Sequence, residues 1–110
     1  MNRLEVKSGG STRCVRVADI DWIEAAGVNA NLYIGGTELL YRVALNEVAG
    51  RLDPARFVRV HRSAIVNIES ILHLEPISHD EFEVMLKDGS RSRISRTYRR
   101  QLEKRLGQSL

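Results

Sequence analysis

The sequence is poor in the residue types that define several large classes of protein. Of its 110 residues, one is cysteine, two are proline and 5% are aromatic. Because Cys14 is alone, no disulfide can form within the chain, and we expect Cys14 to be a small buried apolar side chain and not a reactive thiol. No apolar run approaches the roughly 20 residues of a membrane span, and the amino terminus has no signal-peptide core. These absences predict a cytoplasmic protein without a membrane segment.

Motifs for catalysis, metals and cofactors are also missing. The chain has no glycine-rich phosphate loop, and its histidines, His61, His73 and His79, lack the spacings of metal ligands. His61 and Ser63 would share a strand face without an orienting acid or an oxyanion hole, so a hydrolase is a rival interpretation that the residues do not favour. We expect no enzyme activity, no metal and no cofactor.

The length and charge of the chain indicate a single domain with local clusters of basic residues. A chain of 110 residues, 43% hydrophobic and 28% charged, is expected to fold as a single domain over residues 1–110. The formal net charge is +3, and 14 of the 17 basic residues are arginine. The basic residues concentrate at positions 56–62 and 89–105, whereas positions 75–83 are acidic. Local arginine clusters suit bidentate contacts with phosphates and guanine edges.

Hydrophobic alternation and turn residues predict a mainly β protein. Glycine pairs at positions 9–10 and 35–36 indicate tight hairpins. The spacing of Leu45, Val48, Ala49 and Leu52 predicts one short central helix, ended by Asp53 and Pro54. Strands are expected at 3–7, 12–17, 20–25, 30–34, 38–43, 57–61, 64–66, 68–74, 81–86 and 91–94.

The turn Lys87-Asp88-Gly89 fixes the register of the last hairpin. A three-residue loop with Gly89 in the left-handed conformation pairs Val84 with Ser92 and Phe82 with Ile94. This register places Arg91 and Arg93 on the polar face, with Glu83 opposite Arg93. A two-residue loop would bury an arginine beside apolar groups, so the longer loop is predicted.

A short carboxy-terminal helix is expected after this hairpin. Ser95 is a natural amino-terminal cap, Tyr98, Leu102 and Leu106 recur every four residues, and Gly107 is a natural end. The first turn, with Ser95, Arg96 and Thr97, offers free N–H groups and a positive dipole end. It is a candidate phosphate-binding segment.

Three polar segments at strand ends form the candidate binding constellation. Their members are Asn29 and Asn31, then Arg62 and Ser63, then Arg96 and Thr97. Arginine and asparagine read base edges in a major groove, while hydroxyl groups and helix-start amides hold phosphates. Few aromatic platforms are available for stacking single-stranded bases, which favours double-stranded DNA.

Three segments resemble the LytTR family of DNA-binding domains, which occur mostly at the carboxyl end of bacterial response regulators. They are IDWIEAAG, LDPARFVRVHRSAIVNIESI and LKDGSRSRISRTYRRQL. The resemblance runs from about Leu4 to Leu106. It implies an elongated arrangement of successive antiparallel sheets and hairpins with little helix, which reads DNA through loops.

The resemblance also implies contact residues. Base contacts are expected from Arg62, Arg96 and either Asn29 or Asn31. The implied supporting or phosphate contacts are His61, Ser63, Ser95, Thr97 and Tyr98. From the basic cluster itself, we expect Arg93, Arg99 and Arg100 to add affinity for phosphates. Many members have Gly-Asn-Tyr where this chain has Gly-Val-Asn-Ala-Asn at 27–31, so which asparagine reads a base stays open. From its chemistry we expect His61 mainly to hydrogen-bond across the bend, and we expect Asn67 to be a turn or bridging residue and not a base reader.

The sequence therefore predicts sequence-specific binding of double-stranded DNA by a bacterial transcription regulator. The alternative is a non-catalytic protein-interaction module that uses the same basic face on an acidic partner. The resemblance implies direct repeats in the DNA and a homodimer on it. The chain is either free-standing or part of a longer regulator with an upstream receiver or sensor domain; operator, target genes and the sign of regulation stay open.

Overall fold

A computed structural model describes residues 2–110 of the chain. It contains ten strands and two α-helices. The strands are β1 (Arg3–Ser8), β2 (Ser11–Arg16), β3 (Trp22–Ala26), β4 (Asn29–Ile34), β5 (Thr37–Tyr41), β6 (Phe57–His61), β7 (Ala64–Asn67), β8 (Ile71–Pro76), β9 (Phe82–Leu86) and β10 (Arg91–Ile94). The helices are α1 (Leu45–Arg51) and α2 (Arg96–Leu106). Single 3-10 turns occupy Val17–Asp19 and Ile68–Ser70.

The strands form three antiparallel sheets in succession. The β1–β2 hairpin comes first, a five-stranded sheet has the order β5-β4-β3-β7-β6, and a three-stranded sheet has the order β10-β9-β8. The principal extents are 47 × 24 × 22 Å. The predicted mainly β, elongated architecture with a short central and a short carboxy-terminal helix is confirmed.

The five-stranded sheet is covered on both faces. Alternation along the strands sends Ile23, Leu32 and Ile65 into one hydrophobic core, with the β1–β2 hairpin and α1. Trp22 and Val66 belong to a second core, with the three-stranded sheet and α2. Because both faces are buried, β7 is buried at every position. Burial on two sides fixes the direction of this strand and of the turn that precedes it.

The register of the last hairpin follows the prediction. Ser92 pairs with Val84, Arg93 with Glu83 and Ile94 with Phe82. Gly89 has a φ of 88°, a value that side chains other than glycine rarely adopt. The three-residue loop therefore fixes which face of this hairpin carries the arginines, and Arg91 and Arg93 are exposed.

Asn67 bridges segments distant in sequence, as predicted. It is 1% exposed, and its Nδ2 donates to the carbonyl oxygens of Ile20 at 3.0 Å and Ala18 at 3.3 Å. Its Oδ1 accepts from the N–H of Glu69 at 3.1 Å. These bonds satisfy backbone groups in two irregular connections that enter the sheet.

Two expectations about the strands are wrong. Cys14 is exposed, because the two-stranded hairpin buries only the face that carries Leu4, Val6 and Val15, and Cys14 lies on the other face. The strand expected at 68–74 begins at Ile71, since Ile68–Ser70 forms a 3-10 turn instead.

Candidate nucleic-acid interface

The β6–β7 bend holds Arg62 and Ser63 at the end of a rigid pair of strands. On either side of the bend Val60 and Ala64 are buried. The side chain of Arg62 is exposed and forms no hydrogen bond or ion pair with any part of the chain from residue 2 to residue 110. A free guanidinium is thus presented from a fixed backbone position, which reduces the entropy lost on binding.

Arg59 holds this bend in place through hydrogen bonds within the protein. Its Nε donates to the carbonyl oxygen of His61 at 3.2 Å, and its Nη2 donates to the carbonyl oxygen of Arg62. Its Nη1 donates to Oδ1 of Asn46, on α1, at 2.8 Å. The guanidinium also lies 5.7 Å from the ring centroid of Tyr98, within cation–π range. The sequence pointed to Arg62 but missed Arg59, whose partners come from three separate segments.

His61 adds a second constraint on the bend. The N–H of Ser63 donates to its Nδ1 at 3.1 Å, so the expected hydrogen bond across the bend is confirmed. With Nδ1 accepting, the neutral ring carries its proton on Nε2. Both His61 and Ser63 are half-buried, which leaves Arg62 as the most exposed side chain of the three.

The first candidate segment lies directly beside the bend. The N–H of Ala25, at the end of β3, donates to the carbonyl oxygen of Ser63 at 2.8 Å. The β3–β4 turn then consists of Gly27 and Val28, because Ala26 pairs with Asn29. Gly27 has a φ of 62°, and Val28 at the tip is 83% exposed. This segment therefore presents an apolar group together with its polar ones.

Asn29 and Asn31 share one face of β4. Ala30 between them is fully buried in the first hydrophobic core, so the two asparagines lie on the opposite face of the sheet and are half-buried. Asn31 pairs with Glu24 across the strands, which places a carboxylate beside it. Asn29 is closer to the turn, whereas Asn31 lies one pair further into the sheet.

Glu24 is held by an aromatic pair. The Tyr33 hydroxyl donates to Glu24 Oε1 at 3.1 Å, and its ring stacks on Trp22 with centroids 4.3 Å apart. Burial, followed by the hydrogen bond and charge of Glu24, raises the pKa of Tyr33 to about 12. The carboxylate next to Asn31 is thus fixed in place.

The third candidate segment, at the start of α2, is hydrogen-bonded to the bulge in β6. The register between β6 and β7 shifts between Arg59 and His61, so Val60 has no partner in β7. The carbonyl oxygen of Val60 accepts from the N–H of Ser95 at 2.8 Å. A bulge commonly redirects a strand's groups in this way. It fixes the start of α2 beside the β6–β7 bend.

Ser95 occupies the N-cap of α2, but its side chain does not cap. Its carbonyl oxygen accepts from the N–H groups of Tyr98 at 3.2 Å and Arg99 at 3.0 Å. Its Oγ is buried and makes no hydrogen bond within the described residues. The expected side-chain cap is therefore wrong, and the hydroxyl points away from solvent. Thr97 is exposed, and Tyr98 is half-buried.

An acidic loop, residues 77–81, brings carboxylates to two of the predicted arginines. Asp80 Oδ2 lies 3.1 Å from Nη2 of Arg96, and Glu81 pairs with Arg93. A shallow depression beside them is lined by His61, Asp80, Glu81, Arg93, Ile94, Ser95 and Arg96. The loop thus lies within the candidate interface. The sequence showed an acidic stretch here but gave no sign of these pairings, because the partners are 12 and 16 residues apart.

Arg99 and Arg100 of α2 differ in position. Arg99 lies 4.5 Å from the ring centroid of Phe82, and its Nη2 donates to the carbonyl oxygen of Leu110 at 2.8 Å. Its side chain is 28% exposed. Arg100 is exposed and unpaired with any residue in 2–110. Of the two, Arg100 is the one free to meet a phosphate.

The three predicted segments therefore lie side by side, with the β6–β7 bend in the middle. One backbone hydrogen bond joins the bend to the end of β3, and another joins β6 to the start of α2. Elsewhere in residues 2–110 no group of three or more His, Cys, Asp or Glu side chains is placed to hold a metal ion. Neither described helix is long and apolar enough to cross a bilayer.

This geometry agrees with what the chain resembles. Residues 10–107 match the model of the LytTr DNA-binding domain family, and the chain belongs to that family. It is a DNA-binding domain of the kind found in transcription regulators.

Among curated proteins, the sensory transduction protein LytT of Bacillus subtilis is 30% identical over 96% of this chain and 44% of its own length. The LytT protein of Enterococcus faecalis is 28% identical over 91% of this chain and 42% of its own length. The chain spans less than half the length of these relatives. A solved LytTr DNA-binding domain from Bacillus cereus, at 24% identity, superposes with a TM-score of 0.88 over 97% of this chain and 98% of that one. This last similarity shows the fold.

Proposed function

We propose that the chain binds double-stranded DNA sequence-specifically, as the DNA-reading part of a bacterial transcription regulator. The observation that carries the proposal is the free guanidinium of Arg62 on a turn fixed by Arg59 and His61. In this proposal, the β6–β7 bend and the start of α2 present side chains to the major groove, where each base pair has its own donor and acceptor pattern.

Within this interface, Arg62 and Arg96 are assigned to base edges. Arginine contacts the O6 and N7 atoms of guanine in a bidentate manner, which is the commonest specific contact in the major groove. Both side chains are exposed, and the Val60–Ser95 hydrogen bond joins the segments that carry them. Asn29 is assigned in preference to Asn31 because it is next to the exposed turn, whereas Asn31 faces the carboxylate of Glu24.

The supporting contacts are assigned to the helix start and its surroundings. Thr97 and Arg100 are exposed on the first turns of α2, where free N–H groups also favour phosphate. Arg93 would contribute once Glu81 is displaced. Ser63, Ser95, His61, Tyr98 and Arg99 are assigned to positioning, since each is at least partly buried or bonded within the protein.

The first experiment selects duplexes from a random pool with the intact 110-residue chain. The selected duplex and a shuffled duplex of the same composition are then titrated with wild-type protein and Arg62→Ala. We expect Arg62→Ala to lose about 1–3 kcal/mol on the selected duplex and to relax the preference at one base pair. Wild-type discrimination in the variant would remove Arg62 as a base reader, and absence of a selectable sequence would overturn the proposal.

Matched arginine variants separate base reading from general attraction. Arg100→Ala should weaken both duplexes alike and lower the slope of log affinity against log salt by about 0.9. Arg16→Ala removes the same charge from the end of β2. Arg16 lines a cavity together with Arg56, which precedes β6 and so lies at the other end of that strand from the bend. It should leave both titrations nearly unchanged. Equal effects of Arg100→Ala and Arg16→Ala would place the interface elsewhere.

The selected sequences also test how the domain is arranged on DNA. We propose binding as a pair to direct repeats, within a longer regulator whose upstream part controls it. A repeated element in the selected pool, with two protein chains per duplex in sedimentation, would support the pair. A single element bound by one chain would contradict it.

A further inference from the structure

Two acidic side chains lie among the cationic groups of the candidate interface. The loop at 77–81 is closed by a hydrogen bond from the N–H of Ile77 to the carbonyl oxygen of Glu81 at 2.8 Å. Within it, Asp80 pairs with Arg96 and Glu81 pairs with Arg93. Both arginines are thereby paired with carboxylates in the protein without DNA, whereas Arg62 and Arg100 are not.

These ion pairs add little to folding. The side chain of Arg96 is 80% exposed and that of Asp80 is 53% exposed, and exposed pairs contribute little net stability. Their larger effect is on what the arginines bind, because a carboxylate at 3.1 Å partly cancels the attraction of the guanidinium for any other anion. The loop therefore lowers the affinity of this surface for the phosphate backbone of any DNA.

The geometry at Arg96 leaves base reading possible. A guanidinium has five N–H donors, and only Nη2 of Arg96 is engaged by Asp80. The remaining donors suffice for a bidentate contact with the O6 and N7 atoms of guanine. A guanine edge carries no net charge and is repelled by Asp80 much less than a phosphate that approaches the same donors. One carboxylate therefore favours a base over a phosphate at this side chain.

We propose that Asp80 is a positioning residue that sets sequence discrimination by directing Arg96 away from phosphates and toward a guanine edge. Glu81 reduces the phosphate attraction of Arg93 in the same way. The proposal rests on the proposed function, since it assumes that Arg96 reads a base. It gives the loop at 77–81 the role of a specificity element within the interface.

The experiment compares wild-type chain with Asp80→Asn on two probes, the duplex selected from the random pool and its shuffled counterpart. Glu69→Gln is the matched control, because Glu69 forms an exposed pair of similar length with Arg56, 3.3 Å, remote from the bend. Asp80→Glu keeps the charge and tests recovery. Anisotropy titrations at several salt concentrations give affinity and salt slope for each protein.

We expect Asp80→Asn to bind the shuffled duplex about two- to fivefold more tightly, the change set by the strength of one exposed ion pair. Its salt slope on that duplex should steepen by about 0.9, the value for one new phosphate contact. Affinity for the selected duplex should stay the same or fall, so the specificity ratio drops. Glu69→Gln should change neither probe, and Asp80→Glu should restore most of the ratio.

The outcomes separate this inference from the proposed function. If wild type discriminates the two duplexes but Asp80→Asn leaves affinity and slope on the shuffled duplex unchanged, the inference is overturned and the proposed function stands. Equal gains from Asp80→Asn and Glu69→Gln would show a general charge effect and also overturn it. Parallel losses on both probes with lower stability would assign Asp80 a structural role only. If wild type does not discriminate, both proposals fall.

Discussion

Replacing Arg59 by alanine should weaken DNA binding even though this side chain is engaged within the protein. It donates three hydrogen bonds, to the carbonyl oxygens of His61 and Arg62 and to Oδ1 of Asn46. At about 0.5–1.5 kcal/mol net for each bond, with the two exposed bonds at the low end of that range, the variant should lose about 2 kcal/mol of unfolding free energy. Two of the three bonds hold the turn that presents Arg62.

The effect on binding follows from the freedom given to that turn. Ordering the backbone of one residue costs about 1–2 kcal/mol. If the loss of Arg59 frees roughly one residue of the bend, the DNA complex must order it again, which corresponds to about a tenfold loss of affinity. Because its donors are bonded to the protein, Arg59 is not expected to hold a phosphate. The salt slope should therefore remain that of wild type.

Two measurements check this. Urea unfolding can be followed by the fluorescence of Trp22, the single tryptophan, which is buried beside Tyr33. Anisotropy titration of the selected duplex across salt concentrations gives affinity and slope. Arg56→Ala, at the start of the same strand with one exposed ion pair, is the control and should change stability by less than about 1 kcal/mol. A salt slope lowered by about 0.9 would show that Arg59 contacts a phosphate. If Arg59→Ala keeps wild-type stability and affinity, Arg59 does not hold the bend in place.

Two further predictions concern Asn67, which is buried, and Tyr33, which is half-buried. Asn67→Ala removes three side-chain hydrogen bonds and leaves backbone groups unpaired, so it should cost about 3 kcal/mol in urea unfolding; a loss below about 1 kcal/mol would contradict the bridging role. The pKa of Tyr33 is raised from 10.0 to about 12 in the folded chain. The stability that this shift contributes is therefore complete below pH 10. It is lost as the pH rises from 10 toward 12, because Tyr33 ionises in the unfolded chain before it ionises in the folded one. The stability difference between wild type and Tyr33→Phe should shrink over that window, and a difference that stays constant with pH would show that Tyr33 does not titrate in it.

Local signals in the sequence were sufficient for most of the fold. Gly89 fixed the last hairpin because only a three-residue loop keeps the arginines off the apolar face, and the structure has that register. The stripe of Tyr98, Leu102 and Leu106 gave the carboxy-terminal helix. The expectation for Cys14 is wrong because free cysteine is usually buried, whereas its position in the alternation places it on the outer face with Glu5.

The candidate site was less predictable because its pairings join distant segments. Arg59 and Asn46 are 13 residues apart, and Asp80 and Arg96 are 16 apart. No periodic pattern within one strand or helix records such contacts; they depend on how sheets and loops pack. The Val60–Ser95 bond between main-chain groups is invisible to side-chain patterns for the same reason.

The Val60–Ser95 hydrogen bond makes the spacing within the candidate interface independent of the side chains it presents. The spacing between the bend and the start of α2 is held by main-chain atoms, which every amino acid supplies except for the N–H that proline lacks. Under the base contacts proposed for Arg62 and Arg96, substitutions at these two positions would alter which bases are preferred while the distance between them stays the same. New target preferences would then arise by exchange of single side chains, without a change in the backbone that positions them.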